Sequence, residues 1–241
     1  MDEAALPHEV RPLVRSFNAL LQRHEALAEA QRRFLDDASH QLRTPISVLR
    51  MQLDHALRNE GERLATLEAM RPVIDRSTRT TAQMLALARA DAMAARPGTD
   101  TLDLCRMVAE AARLHLPLAR KRGLMLALDL PDAPPAMTGN ETLIYEALAN
   151  LLDNAIRHSP EGGTIQILLT PEDGAVIRIR DEGPGMPEPQ LARLGERFAS
   201  SGGNGLGLAL AVRVAQGHGG SLYARNDGGL EVTFHLRGAT F

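Results

Sequence analysis

Between Val10 and Phe34 the apolar residues Val10, Leu13, Phe17, Leu20, Leu21, Leu27 and Phe34 recur at helical spacings, with Arg, Glu and Gln between them. The pattern then tightens. At about 100° per residue, Leu35, Ala38, Leu42, Ile46, Leu49 and Leu53 fall within a stripe roughly 80° wide, and His40 lies roughly 160° from its centre. Thr44 stands beside His40, one turn on. The histidine is therefore expected to face water or a partner while its neighbours pack inward. Gly61 marks a turn, and a second helix runs through Leu64, Leu67, Ile74 and Leu85, with Thr78 and Thr81 on the same stripe. Residues 8–92 thus read as long helices ending in an antiparallel hairpin. Two amphipathic helices have too little core alone, so pairing with a second copy into a four-helix bundle is expected. Ala92 to Asp100, with Arg96-Pro97-Gly98, reads as a linker.

After Thr101 the period changes. A helix is predicted over 104–121, then a strand from the alternation of Leu124, Leu126, Leu128 and Leu130. Residues 131–135 form a loop and 140–158 a helix; Ile165, Ile167 and Leu169 make a strand, as do Ile177 and Ile179. The Gly/Pro-rich stretch 182–204 lacks periodicity and is expected to be mobile. A helix over 205–217 and strands over 221–226 and 230–236 complete the chain. Helices on one side of a mostly antiparallel sheet give an α+β sandwich. The domains expected are a signalling helix (1–29), a helical hairpin (30–92), a linker (93–100) and a sandwich (101–241).

Composition narrows the classes. The chain has 241 residues, room for two modest domains, and is 44% apolar, enough for a packed core. Only 3% is aromatic and Trp is absent, which with abundant Leu and Ala favours helical packing. A net charge of −3 gives no basic field for nucleic acid. Cys105 alone allows neither an internal disulfide nor a cysteine metal cluster, and fits a reducing compartment. No apolar run reaches the roughly 18 residues that span a bilayer, and no signal peptide is visible.

Three stretches could carry chemistry besides His40. Asn150, Asn154 and Arg157 share one face of the 140–158 helix, while Leu148, Leu152 and Ala155 share another. Asn154 offers a neutral carbonyl oxygen to a Mg²⁺ ion that keeps its waters, and Arg157 offers donors to phosphate. A plain solvated surface would show the same pattern. Asp181 continues the parity of Ile177 and Ile179 and so points inward, ahead of Glu182-Gly183-Pro184-Gly185. A buried carboxylate needs donors: an adenine amino group is one, and its own turn is another. Gly203, Gly205 and Gly207 let backbone N–H groups approach phosphate at a helix N-terminus, although such a run also serves as a connector. His40 could be an ordinary surface histidine, but a neutral imidazole is a good nucleophile, and Pro45 must bend the helix just beyond it.

In this order the segments resemble the cytoplasmic part of a bacterial two-component sensor histidine kinase. Phe34 to Pro45 resembles the H box, Asn150-Leu151-Leu152-Asp153-Asn154-Ala155 the N box and Asp181 to Gly185 the first glycine box. Glu196-Arg197-Phe198 resembles the F box and Gly203 to Leu208 the second glycine box, while Pro7 to Leu21 is similar to the end of a HAMP relay. The resemblance implies a homodimeric phosphoacceptor hairpin followed by a Bergerat-type ATP-binding domain. It implies that His40 accepts the γ-phosphoryl of ATP and passes it to a response-regulator aspartate, with Gln41, Arg43 and Thr44 completing the catalytic set. Asn154 would hold Mg²⁺ with Asn150 assisting; Asp181 would read adenine, and Gly183 and Gly185 would shape the pocket. Arg157 and the Gly203, Gly205, Leu206 and Gly207 loop would hold phosphates, and Phe198 would pack the lid. The relay remnant implies a membrane-anchored parent whose cytoplasmic part this is.

Two positions depart from the family's habit. Gln41 stands where an acidic residue often follows the histidine, and it cannot act as a base; either Asp37, one turn earlier, helps, or a neutral hydrogen bond suffices. His158 stands where a tyrosine frequently stacks on the nucleotide. Thr44 occupies the position that orients water for dephosphorylating the regulator. A gyrase- or chaperone-like ATPase is disfavoured because Asn150 stands where those proteins carry a glutamate base. A scaffold that only dephosphorylates is disfavoured by intact Asn154, Asp181 and glycine loops.

Overall fold

The computed structural model describes residues 11–93, 98, 100–195 and 205–238, and the chain divides after Arg79 into two compact units. The first holds helix α1 (Arg11–Arg58), a single 3-10 turn (Glu60–Glu62) and the first half of α2 (Arg63–Met93). α1 runs through Pro45 without interruption. The proline therefore removes the amide donor to the Gln41 carbonyl but does not end the helix.

Side chains tie the hairpin turn. His55 Nε2 lies 2.9 Å from Glu62 Oε2, Asn59 Nδ2 lies 3.1 Å from His55 Nδ1, and Arg63 Nε donates to the Ala56 carbonyl at 3.4 Å. The shielded seam on α1 is Ala38, Leu42, Pro45, Leu49, Gln52 and Ala56; on α2 it is Thr66, Met70, Val73 and Ser77. Part of the predicted stripe stays outside: Ile46 is 62% exposed and Leu64 72%, and Leu53, Leu67, Ile74 and Leu85 are exposed as well. This is the face expected to pair with a second copy of the hairpin, and it is open within one chain. One neighbouring helix covers only a narrow seam, and a wider stripe needs a further surface to cover it.

The second unit begins inside α2. Its last turns bury Thr80, Met84, Ala86, Leu87 and Ala90, of which Ala86 and Ala90 join the main core. Strands β1 (Asp100–Leu102) and β3 (Met137–Gly139) form a small antiparallel ribbon, Leu102 opposite Met137. The sequence reading missed both, because three residues carry no periodicity. The main sheet has the order β2-β4-β5-β7-β6, from β2 (Met125–Asp129), β4 (Thr164–Thr170), β5 (Ala175–Arg180), β6 (Ser221–Asn226) and β7 (Leu230–Leu236). Among these described strands, only β2 and β4 pair in parallel.

Helices α3 (Leu104–Lys121), α4 (Glu141–His158) and α6 (Leu206–Gly217) cover one face of this sheet, and the four-residue α5 (Glu188–Leu191) follows the β5 loop. Ile165, Ile167, Leu169, Ile177, Ile179, Val232 and Phe234 alternate inward against Leu148, Leu151, Leu152 and Ala155 of α4 and Leu210 and Val214 of α6. Along β2 the expected alternation fades, with Leu124 buried and Leu128 exposed, because this edge strand outruns its cover. The fold is the expected helical hairpin followed by an α/β sandwich with a mostly antiparallel sheet.

Candidate functional site

His40 sits on α1 with its side chain exposed, as do Arg43 and Thr44, whereas Gln41 is half-buried. The Thr44 hydroxyl turns back toward the His40 carbonyl, 3.5 Å away. The Asp37 side chain lies outside the described residues.

In the second unit α4 is fastened at both ends. Asn140 caps its start, Oδ1 accepting from the Leu143 amide at 3.0 Å. The Asn140 amide in turn donates to His218 Nε2 at 3.0 Å, and His218 Nδ1 donates to the Val214 carbonyl of α6 at 2.7 Å. His218 is fully buried, and burial pushes its pKa down while the Val214 bond pulls it up less strongly. Both ring nitrogens are satisfied only in the neutral form. At the far end the Arg122 guanidinium donates to the carbonyls of Ile156, Arg157 (2.7 Å) and Ser159 (3.1 Å). A cation on the last carbonyls of a helix offsets the negative end of its dipole. This holds the turn bearing Arg157 and His158.

Along α4, both ends of the Asn150 amide are hydrogen-bonded. Its Nδ2 donates to the Glu146 carbonyl at 2.7 Å, and its Oδ1 accepts from the side-chain amide of Gln83, on the last turns of α2. Arg89–Glu146 (3.9 Å) and Arg213–Asp91 (3.4 Å) are further contacts of those turns. Asn154, one turn on, is half-buried, and its side chain has no hydrogen-bond partner among the described residues. Arg157 pairs with Asp153, and His158 is exposed.

Asp181 is buried just past β5. Its Oδ1 accepts from Gly183 N at 2.8 Å and from Leu230 N at 3.1 Å. Capping of its own turn is therefore real, and it uses one oxygen. Gly183 lies where a Cβ would sit 2.6 Å from the His158 carbonyl, so the turn packs directly on the end of α4. Gly185 has φ +75°, and a Cβ there would meet Asn226 Oδ1 at 2.5 Å. Gly205 takes the left-handed conformation that starts α6, Leu206 is fully buried, and Gly207 lies against Asn150. Gly203 and Phe198 lie outside the described residues.

The second unit thus brings together Asn150, Asn154, Arg157, His158, Asp181, Gly183, Gly185, Gly205, Leu206 and Gly207 around the exposed side of α4. Sequence reasoning missed Gln83, Arg122, Asn226 and His218. Each contacts residues 34 or more positions away in the chain, and no local spacing signals such a partner. No cluster of three or more His, Cys, Asp or Glu that could hold a metal occurs among the described residues. A cation here would rely on amide oxygens and on its ligand's own phosphates.

Residues 30–92 match the His Kinase A (phospho-acceptor) domain, and residues 139–240 match the histidine kinase-, DNA gyrase B-, and HSP90-like ATPase. Sensor protein QseC of Escherichia coli K12 is 33% identical over 96% of this chain and 53% of its own length. The signal transduction histidine-protein kinase BaeS of the same organism is 30% identical over 95% of this chain and 51% of its own. The chain thus spans about half the length of the curated relatives it matches. The solved structure of Acinetobacter baumannii histidine kinase AdeS shares the fold, with a TM-score of 0.65 and 21% identity over 82% of this chain and 98% of that one. A phosphoacceptor match over the helix bearing an exposed His40, joined to an ATPase match over the Asn154–Asp181 site, makes this chain a member of the sensor histidine kinase family.

Proposed function

We propose that this chain takes the γ-phosphoryl group of ATP onto His40 and passes it to an aspartate on the receiver domain of a response regulator. A ring nitrogen of His40 attacks the γ-phosphorus, the bond to the β–γ bridging oxygen breaks, and ADP leaves. The regulator carboxylate then attacks phosphohistidine and releases the imidazole. Such a transfer needs positioning and charge neutralisation more than covalent help from the cradle.

In the second unit the free oxygen of Asp181 accepts from the adenine amino group, in a turn shaped by Gly183 and Gly185. Arg157 and the N–H groups that open α6 hold phosphate oxygens, and His158 stacks near the base. Asn154 fits a Mg²⁺ ligand, being half-buried with no side-chain partner among the described residues. Gln83 competes with the cation for the Asn150 oxygen. The cation, when bound, offsets charge on the polyphosphate. Residues 186–204 would be the lid, with Phe198 packing it onto the domain.

Asn150 also argues against a hydrolytic, gyrase-like reading, since an amide cannot take a proton from water. Exposed Ile46, Leu64 and Ile74 suit a homodimer through the hairpin. Thr44, exposed one turn beyond His40, suits dephosphorylation of the regulator as a second activity, with Arg43 beside it and Gln41 half-withdrawn into the seam. No helix among the described residues is long and apolar enough to cross a membrane. The parent is read as membrane-anchored with this part in the cytoplasm.

The observation that carries the proposal is an exposed histidine in the phosphoacceptor match together with a buried carboxylate that spends one oxygen on its own turn in the ATPase match. The test is incubation with γ-labelled ATP and Mg²⁺, for this chain and for His40→Gln. Acid-labile, alkali-stable label that His40→Gln lacks is the expected result. Equal label in both proteins overturns the assignment to His40.

A further inference from the structure

We propose that Asn226 is a positioning residue for the turn that reads the nucleotide, an inference resting on the function proposed above. Asn226 ends β6 and makes two hydrogen bonds to one backbone residue: Oδ1 accepts from Met186 N and Nδ2 donates to Met186 O, both at 2.8 Å. That is the pairing an additional strand residue would make, supplied by a side chain. Directly opposite Asn226 in the hairpin register stands Leu230. Leu230 holds the other end of the same turn, its carbonyl accepting from Asp181 N at 3.0 Å and its amide donating to Asp181 Oδ1 at 3.1 Å. The 181–186 turn is therefore gripped at both ends by one cross-strand pair.

The fit is close. Gly185 has no side chain because the Asn226 amide occupies that space, and Gly229 meets the Asp181 carbonyl where a Cβ would lie 1.8 Å away. Only a primary amide of this length offers an acceptor and a donor in one plane to the N–H and C=O of a single residue. Aspartate keeps the bond from Met186 N but sets a carboxylate oxygen against the Met186 carbonyl. Asn226 is exposed and contributes nothing to the core, so its replacement tests the turn and not the fold.

The experiment uses the whole chain with Asn226→Ala and Asn226→Asp, and Arg225→Ala on the solvent face as a control. Three quantities are measured: AMPPNP affinity by calorimetry, the ATP dependence of autophosphorylation, and amide exchange at Met186. Loss of two hydrogen bonds should weaken AMPPNP about tenfold and raise KM similarly. The rate at saturating ATP and the thermal midpoint should stay near wild type. Met186 exchange should accelerate in both Asn226 variants and not in Arg225→Ala. Unchanged affinity and unchanged Met186 exchange in Asn226→Ala overturn the proposal. Should wild-type chain bind no AMPPNP, the ATP reading falls, and Met186 exchange alone then decides whether Asn226 fixes the turn.

Discussion

Gln83 donates its side-chain amide to Oδ1 of Asn150, across 67 positions of the chain. The last turns of α2 thereby compete for the oxygen that Asn150 would offer a cation under the proposed function. Gln83→Ala should lower the Mg²⁺ concentration needed for half-maximal ATP binding several-fold, because a freed amide oxygen needs no partner exchanged first. A Mg²⁺ titration at fixed ATP measures this. An unaltered requirement would show that Asn150 does not serve the cation.

Asp181→Asn separates the two duties of the buried carboxylate. Asparagine Oδ1 can still accept from Gly183 and Leu230, so the turn should persist and the thermal midpoint move little. The outward oxygen, however, becomes an amino group. ATP affinity should fall by about tenfold or more, as two donors then face each other. A nucleotide with a carbonyl at that ring position, such as ITP, should lose far less. Competition binding of ATP and ITP reports the ratio, and parallel losses for both would mean Asp181 reads no base.

Much of this site was legible beforehand because it lies on short sequence distances. The faces of α4 separate cleanly into Asn150, Asn154 and Arg157 against Leu148, Leu152 and Ala155, and the parity of Ile177 and Ile179 carries through to Asp181. What could not be read is whatever closes through space. Arg122 caps α4 from the end of α3, and His218 joins α6 to the Asn140 cap, yet neither sits in a spacing that announces it. Leu64, Ile74 and Leu85 read as one apolar stripe. Periodicity identifies which residues share a face and is silent on what covers that face.

The same exposed face gives a test of assembly. Ile46→Lys and Leu64→Glu place charge on surface that is open within one chain, so neither should unfold it. At an interface each desolvated charge costs several kcal/mol. Light scattering at micromolar concentration should show a dimer for wild type and monomer for each variant, and circular dichroism should be unchanged. A wild-type monomer would remove the four-helix bundle.

His218 predicts a pH dependence. Its folded-state pKa lies below the ordinary 6.5, so the unfolded chain takes up the proton first. Stability is then complete above that value and declines as pH falls below it, as protonated Nε2 faces the Asn140 amide, donor against donor. Urea midpoints at about pH 7.5 and about pH 5.5 should differ more for wild type than for His218→Gln, which starts less stable but lacks the titrating ring. Identical differences would assign the pH dependence to other groups.

The hairpin between β6 and β7 has a consequence for how this chain can change over time. Surface hairpin tips are ordinarily where insertions and deletions settle at little cost. Here the tip is Asp227-Gly228-Gly229, closed by the Asp227 amide on the Gly229 carbonyl at 2.9 Å and pressed by Gly229 against the backbone of Asp181. One added residue would push Asn226 and Leu230 out of register, and both ends of the 181–186 turn would shift together. This tip is a fixed-length part, and tolerated changes in length must collect elsewhere on the surface.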